Sequence, residues 1–338
     1  MTRWEEAAAR IREALGARIV GMEEVVEKVL LCILTGQHAL LVGVPGLAKT
    51  LLVSSLAELL DLSFARIQFT PDLMPSDITG AEVLVTEPRG GGRRFRFLPG
   101  PVFANLILAD EINRTPPKTQ AALMEAMEER QVTSVGRRHP LPEPFFVLAT
   151  QNPIEMEGTY PLPAAPRDRF MLRIPGAYPP ERTASVLARR VARPPSPPLG
   201  PILSRADLAA FREAAEAVEL GPALQGRIVA FVRGTRPEEP DAPDLVRDWV
   251  AFGASPRAAQ ALGVAARARA LLRGRSRAEE EDVVALVPDV VRHRLVLNYH
   301  AASEGIRAVD VVRRLMAARF GTAEPRTASR AAGSVRPL

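Results

Sequence analysis

The chain has 338 residues, of which 47% are hydrophobic and 25% charged, with Cys32 as its one cysteine. At about 100–200 residues per domain the length predicts two domains, and the composition excludes collagen-like, disordered and disulfide-scaffold classes. The net charge of +5 comes from 44 basic against 39 acidic residues, and only Lys28, Lys49 and Lys118 are lysines, so the positive balance is an arginine habit and a weak argument for nucleic acid.

Apolar stretches are interrupted early. Val29 to Leu34 runs into Thr35-Gly36-Gln37-His38, and Val102 to Ala109 is broken by Asn105. Both are short of the roughly 18–20 apolar residues of a membrane span. Behind Arg3 no apolar segment follows, so the N-terminus does not read as a signal peptide. The expected location is cytoplasmic, with no membrane segment.

In chain order, Ala39-Leu40-Leu41-Val42 predicts a short strand that ends at a glycine-rich turn. A helix is predicted from Thr50 to Leu60, and Ala65 to Phe69 alternates apolar and polar like a strand. Leu106 to Ala109 and Phe145 to Ala149 read as buried parallel strands. Between them, Thr119 to Arg130 has helical periodicity, with Leu123, Ala126 and Met127 on one side as core. Strands alternating with helices predict an α/β layer architecture.

Tyr178-Pro179-Pro180 opens a short helix through Arg190, and Arg193-Pro194-Pro195-Ser196-Pro197-Pro198 reads as a stiff connector. Beyond it, helices are predicted over Ser204–Val218, Ala223–Gly234, Ser255–Leu272 and Ala278–Val296, an all-α second domain. From Gly321 the composition is small, polar and basic, as in a disordered tail. The expected division is 1–195 for the α/β core, 203–320 for the helical domain and 321–338 for the tail.

Three motifs carry chemistry. Gly43-Val44-Pro45-Gly46-Leu47-Ala48-Lys49-Thr50 lies between a strand and a helix, where backbone N–H groups, a cation and a hydroxyl meet a phosphate and its magnesium. Ala48 stands where the strict pattern has glycine. Asp110 and Glu111 end a buried strand, which places one carboxylate for a metal and the next for activating water. Thr150-Gln151-Asn152-Pro153 ends another strand. Asn152 offers an amide to the attacking water or a phosphate, although asparagine before proline is also an ordinary turn former.

These stretches resemble an AAA+ ATPase of the MoxR family. The resemblance rests on Gly43 to Thr50, Gln68 to Gly80, Ala109 to Gln120 and Ala149 to Pro153, and extends from about Ile19 to Leu315. It implies a P-loop α/β core with a parallel sheet flanked by helices, and a C-terminal all-α lid. It also implies binding and hydrolysis of ATP with Mg2+. Lys49 and Thr50 fall on the Walker A pair, Asp110 and Glu111 on Walker B, and Asn152 on sensor 1. Thr50 and Asp110 are the implied metal ligands. Val20 and Gly21 match the segment against adenine, and Gly43, Val44, Pro45, Gly46, Leu47, Ala48, Lys49, Thr50 and Leu51 the phosphate-binding run. Arg257 matches sensor 2 and would stabilise charge together with Asn152 and a neighbouring subunit's arginine finger, Arg169. Such a finger in trans implies a ring, most simply a hexamer. The resemblance further implies a von Willebrand factor A domain partner and a client enzyme matured or supplied with a metal cofactor. The alternatives are a nucleic-acid-acting motor and a nucleotide-gated scaffold with little turnover, and nucleic acid is the less favoured partner.

Two departures from the family pattern stand out. Ala164 replaces a glutamate, and Arg167 a leucine-like residue, so Arg167 competes with Arg169 for the finger role. Arg169 keeps the Asp-Arg-Phe frame. Two insertions, about 83–98 and 131–144, read as hairpins, the second with Arg137-Arg138-His139 at its turn. Arg93, Arg94 and Arg96 interleave with Phe95 and Phe97, which fits either a grip on an acidic peptide or single strand or a solvated hairpin with its phenylalanines packed beneath. His38, His139, His293 and His300 have no metal-ligand spacing with Cys32.

Overall fold

A computed structural model of the chain describes residues 2–19, 21–43, 48–86, 93–152, 159–176 and 199–321. It begins with α1 (Arg3–Arg18), α2 (Glu23–Leu34), β1 (His38–Gly43), α3 (Lys49–Leu59), β2 (Phe64–Gln68) and α4 (Pro75–Thr79). The hairpin β3 (Gly80–Thr86) and β4 (Arg93–Pro99) follows, then β5 (Leu106–Asp110) and α5 (Pro117–Glu129). A second hairpin, β6 (Gln131–Ser134) and β7 (Arg137–Pro140), precedes β8 (Phe146–Gln151), α6 (Ala164–Arg167) and β9 (Phe170–Gly176).

The apolar runs pair into one five-stranded parallel sheet, in the order β2-β5-β8-β1-β9. Because successive side chains alternate faces, each strand feeds two cores. Ala39, Leu41, Leu106, Leu108 and Leu148 join α1, α2 and α3 on one face. Leu40, Ile107, Ala109 and Val147 meet Leu123, Ala126 and Met127 of α5 on the other. This is the α/β architecture of strands buried on both sides, with α3 and α5 where the sequence places helices.

The first core continues into a helical region: α7 (Arg205–Ala217), α8 (Pro222–Arg233), α9 (Asp244–Trp249), α10 (Pro256–Leu272), α11 (Glu280–Val284), α12 (Val287–Val291), α13 (Tyr299–Ser303) and α14 (Ala308–Phe320). Alanines 258, 265, 266, 268 and 270 are buried along α10, and their small side chains let neighbouring helices approach it. Ser204 caps α7 in a reciprocal box with Asp207.

Two expectations are corrected here. The single helix over Ala278–Val296 is split into α11 and α12, because Pro288 has no N–H to donate and sits in the first turn of α12. The region is not all-α either. β10 (Val250–Phe252) pairs antiparallel with β11 (Val296–Leu297), whose β-branched and aromatic residues suit a short ribbon.

Both insertions are hairpins. β3 and β4 pair from Gly80↔Pro99 to Thr86↔Arg93, and β6 and β7 from Gln131↔Pro140 to Ser134↔Arg137. The turn of the second is Val135-Gly136, both at positive φ, which matches the twist of the flanking strands. Arg137, Arg138 and His139 therefore lie in β7 and not at the turn. The helix expected up to Arg190, the proline connector, the boundary at 195 and the tail after Gly321 lie outside the described residues. Among the described residues, no helix is long and apolar enough to cross a membrane.

Candidate functional site

Parallel strands bring their C-terminal ends to one edge of the sheet. Gly43 ends β1, Asp110 ends β5 opposite Gln68 of β2, and Gln151 of β8 pairs with Val42. A ligand at this edge meets the start of α3, with Lys49 and Thr50 in its first turn. Val44, Pro45, Gly46 and Leu47 lie outside the described residues, as does Val20, while Ile19 is buried and Gly21 takes φ +80. Glycine at 43 also has a packing reason, since a Cβ there would lie 2.3 Å from the carbonyl oxygen of Gly176. Ala48, which replaces the usual glycine, has φ +49. It holds the left-handed conformation at the helix start despite its Cβ. Leu51 is partly exposed on the same turn.

Lys49 is half-buried. Burial pushes its ammonium pKa down, and the carboxylates of Asp110 and Glu111 oppose that shift. Asp110 Oδ1 accepts a hydrogen bond from Thr150 Oγ1 at 2.7 Å, and Oδ2 accepts one from Arg66 Nη2 at 2.6 Å. Glu111 stands at φ +59, and its N–H donates to the same Thr150 Oγ1 at 2.8 Å. Strained backbone of this kind persists only where the surroundings over-determine it. The Glu111 carboxylate is held by Gln68 Nε2 at 3.0 Å and Arg114 Nε at 3.2 Å. Asn152 is buried directly after β8.

The edge thus gathers Lys49, Thr50, Asp110, Glu111 and Asn152 as the sequence leads one to expect, and adds Arg66, Gln68, Arg114 and Thr150. The first two have a sequence signal. Arg66 and Gln68 are the polar positions of an alternating strand in an otherwise apolar sheet. A hydroxyl and a carboxylate are hard oxygen donors, and no cluster of three or more His, Cys, Asp or Glu exists among the described residues. That set fits a magnesium ion that keeps waters and phosphate oxygens in its shell, which protein cages rarely supply.

A second constellation lies at the opposite edge. Phe170, the first residue of β9, pairs with His38, the first of β1, so Arg169 stands at the N-terminal ends of the strands. The six residues of β1, at about 3.3 Å each, separate it from Gly43. Arg257, in the first turn of α10, is there as well. Arg169 and Arg257 both bind the carboxylate of Glu128, the latter at 3.2 Å. Asp168 fastens the helical region to this edge, accepting from Arg294 Nε at 2.6 Å and from Ser255 Oγ at 2.9 Å. A cleft of about 510 Å³ opens here, with Glu128, Arg130, Arg169, Arg257 and Arg294 among its walls.

This placement corrects one expectation. Arg257 is not beside Lys49 and Asp110 of its own chain, because Asp168, Ser255 and Arg294 dock the helical region at the other edge. Arg167 is half-buried, and burial lowers its guanidinium pKa. Its charge is felt by Arg173 and His293, whereas Arg169 lines the cleft.

The hairpins divide the two phenylalanines. Phe97 stacks on His139 with ring centroids 3.9 Å apart and meets Phe103 edge-on. Phe95 is 71% exposed on the same strand. Arg93, Arg94 and Arg96 are exposed around it.

Comparison with known proteins agrees with this fold. Residues 38–172 match the ATPase family associated with various cellular activities (AAA), and residues 242–315 match the AAA lid domain. The chain is 47% identical over 299 residues to Chaperone MoxR1 of Mycobacterium tuberculosis, covering 88% of this chain and 78% of that one. It is 31% identical to Protein MoxR of Methylorubrum extorquens, covering 88% and 90% of the two chains. A crystal structure of a Cytophaga hutchinsonii protein assigned as an ATPase superposes with a TM-score of 0.84 at 40% identity, covering 93% and 94%.

Proposed function

The chain belongs to the MoxR family of AAA+ ATPases, and from that premise we propose that it hydrolyses Mg·ATP in a ring of identical copies, each site completed by a neighbour. The observation that carries this reading is the separation of charge. Lys49, Asp110 and Glu111 stand at one edge of the sheet, and Arg169 with Arg257 at the other, so no single chain brings the full set together. A neighbour's two arginines would stabilise charge on the transferring phosphoryl group, which ties hydrolysis to assembly.

Within one copy, residues 43–51 would cradle the phosphates, with Lys49 supplying the positive charge, and Val20-Gly21 would lie against the base. Thr50 and Asp110 would hold the magnesium, which when bound offsets phosphate charge. Glu111 would take a proton from the attacking water, and Asn152 would orient that water. Gln68 and Arg114 both bind Oε2 of Glu111, an anchorage under which Oε1 would take the proton.

A hexamer is the proposed ring, in the cytoplasm, with proteins as its clients, a reading supported by a relative named Chaperone MoxR1. A von Willebrand factor A domain partner and maturation or metal-cofactor insertion in a client enzyme are proposed from the family resemblance. The test is ATP hydrolysis against protein concentration for wild type, Glu111→Gln and Arg169→Ala. Specific activity should rise as copies associate, and both variants should lose it while still binding ATP. Activity independent of concentration and indifferent to Arg169 would refute the shared site.

A further inference from the structure

Glu128 belongs to none of the sequence motifs, yet it is where the two arginines meet. It is the penultimate residue of α5. One carboxylate oxygen binds Nη2 of Arg169 and the other Nη2 of Arg257. The partners come from different parts of the molecule, Arg169 from the chain entering β9 and Arg257 from the helical region. Two guanidinium charges converging on an open cleft repel each other. The shared carboxylate offsets that repulsion and sets the distance between them.

Beneath this contact the parts are joined again. Ser255 Oγ donates to Asp168 and accepts the N–H of Arg257 at 3.2 Å. The contacts form a closed circuit: Glu128 to Arg257, back along the chain to Ser255, across to Asp168, on to its neighbour Arg169, and again to Glu128. The base of the circuit is partly buried, with Asp168 19% exposed against the buried side chain of Arg294. Its tip is open, with Arg257 52% exposed.

We propose that Glu128 is a positioning residue that makes Arg169 and Arg257 a single two-pronged receptor for the terminal phosphate of a neighbouring copy's nucleotide. The inference rests on the shared-site reading above and adds that the arginines work as a unit. Exposed ion pairs are weak, so Glu128 orients the arginines without trapping them.

The test is steady-state ATP hydrolysis by the full chain, at concentrations where rings are assembled. Wild type and Glu128→Gln are each combined with Arg169→Ala, Arg257→Ala and both. Glu128→Gln should lower kcat by up to about 10²-fold, the order expected when reacting groups lose alignment, with KM for ATP and ring assembly by gel filtration unchanged. In the wild-type background, either arginine substitution should cost nearly as much as the pair. In the Glu128→Gln background the two effects should become additive. Glu128→Asp should recover part of kcat. Wild-type or higher kcat in Glu128→Gln, with Arg169→Ala still inactive, overturns the role of Glu128 alone. A fall in kcat that comes with loss of the ring also overturns it, as a structural effect. Full activity in both single arginine variants refutes the shared-site reading beneath it.

Discussion

Arg66 and Asp110 form an ion pair across neighbouring strands, with Nη2 2.6 Å from Oδ2 of the carboxylate proposed to hold magnesium. A guanidinium thus stands on an oxygen of the proposed metal site. Metal arriving with nucleotide has to compete with it. Arg66→Ala should therefore lower the half-saturating magnesium concentration about two- to fivefold, the weight of a partly exposed ion pair. A magnesium titration of nucleotide binding checks this, and a raised requirement would contradict it.

Glu111→Gln keeps the shape of the side chain and removes the base. Turnover should fall about 10²- to 10⁴-fold while ATP affinity is retained. Single-turnover hydrolysis beside equilibrium binding separates the two effects. Equal losses in both would mean that Glu111 serves binding and not proton transfer.

His38 gives the fold an acid-sensitive point. It is buried between β1 and α5, its Nδ1 accepts the N–H of Val147 at 3.1 Å, and burial with nearby Arg130 pushes its pKa down to about 3. The folded chain keeps His38 neutral, while an unfolded chain protonates it below about pH 6.5. The unfolded state then binds more protons, so stability falls as pH drops from about 6.5 toward 3, by about 1.4 kcal/mol per unit for this group. His293, also buried and lowered by desolvation, adds in the same direction. Urea unfolding of wild type and His38→Asn across that window should show a shallower pH slope in the variant.

Asp168 is the counter-charge of a nearly buried guanidinium. Asp168→Ala leaves Arg294 without it and removes the acceptor of Ser255. The expected loss is about 3 kcal/mol, as when one partner of a buried pair is deleted. Chemical denaturation measures it. A change under 0.5 kcal/mol, the ordinary range for surface substitutions, would show that the carbonyls of Phe170 and Met171, which also accept from Arg294, hold it unaided.

The nucleotide edge was readable in the sequence because its chemistry is contiguous. Gly43 ends a strand and Lys49-Thr50 open a helix a few residues on, and Asp110-Glu111 ends a strand whose burial its composition announces. What escaped was chemistry assembled from distant residues. Gln68 meets Glu111, and Arg66 meets Asp110, only because β2 pairs with β5 in this register. The position of Arg257 depends on where the helical region docks, which Asp168 decides through Ser255 and Arg294, 87 and 126 residues away. Pro288 was visible throughout, but the apolar periodicity from Ala278 to Val296 masked the break it makes.

Helix α5 has a consequence for coordination. It starts just beyond Glu111 and ends at Glu129, 13 residues and about 20 Å of stiff rod at 1.5 Å per residue. Its first end lies toward the edge that holds Lys49 and Asp110, and its last turn at the edge that holds Arg169 and Arg257, which in the proposed ring would face the nucleotide of the next copy. Immediately after it come Arg130, whose guanidinium donates to Gly36 O at 2.7 Å, and the β6–β7 hairpin, which the Phe97–His139 stack joins to β3–β4. Both hairpins thus hang from one helix, which in the proposed ring would be loaded at two hydrolysis sites. In that ring the position of the hairpins would depend on two neighbouring sites at once, and not on the nucleotide of one copy alone.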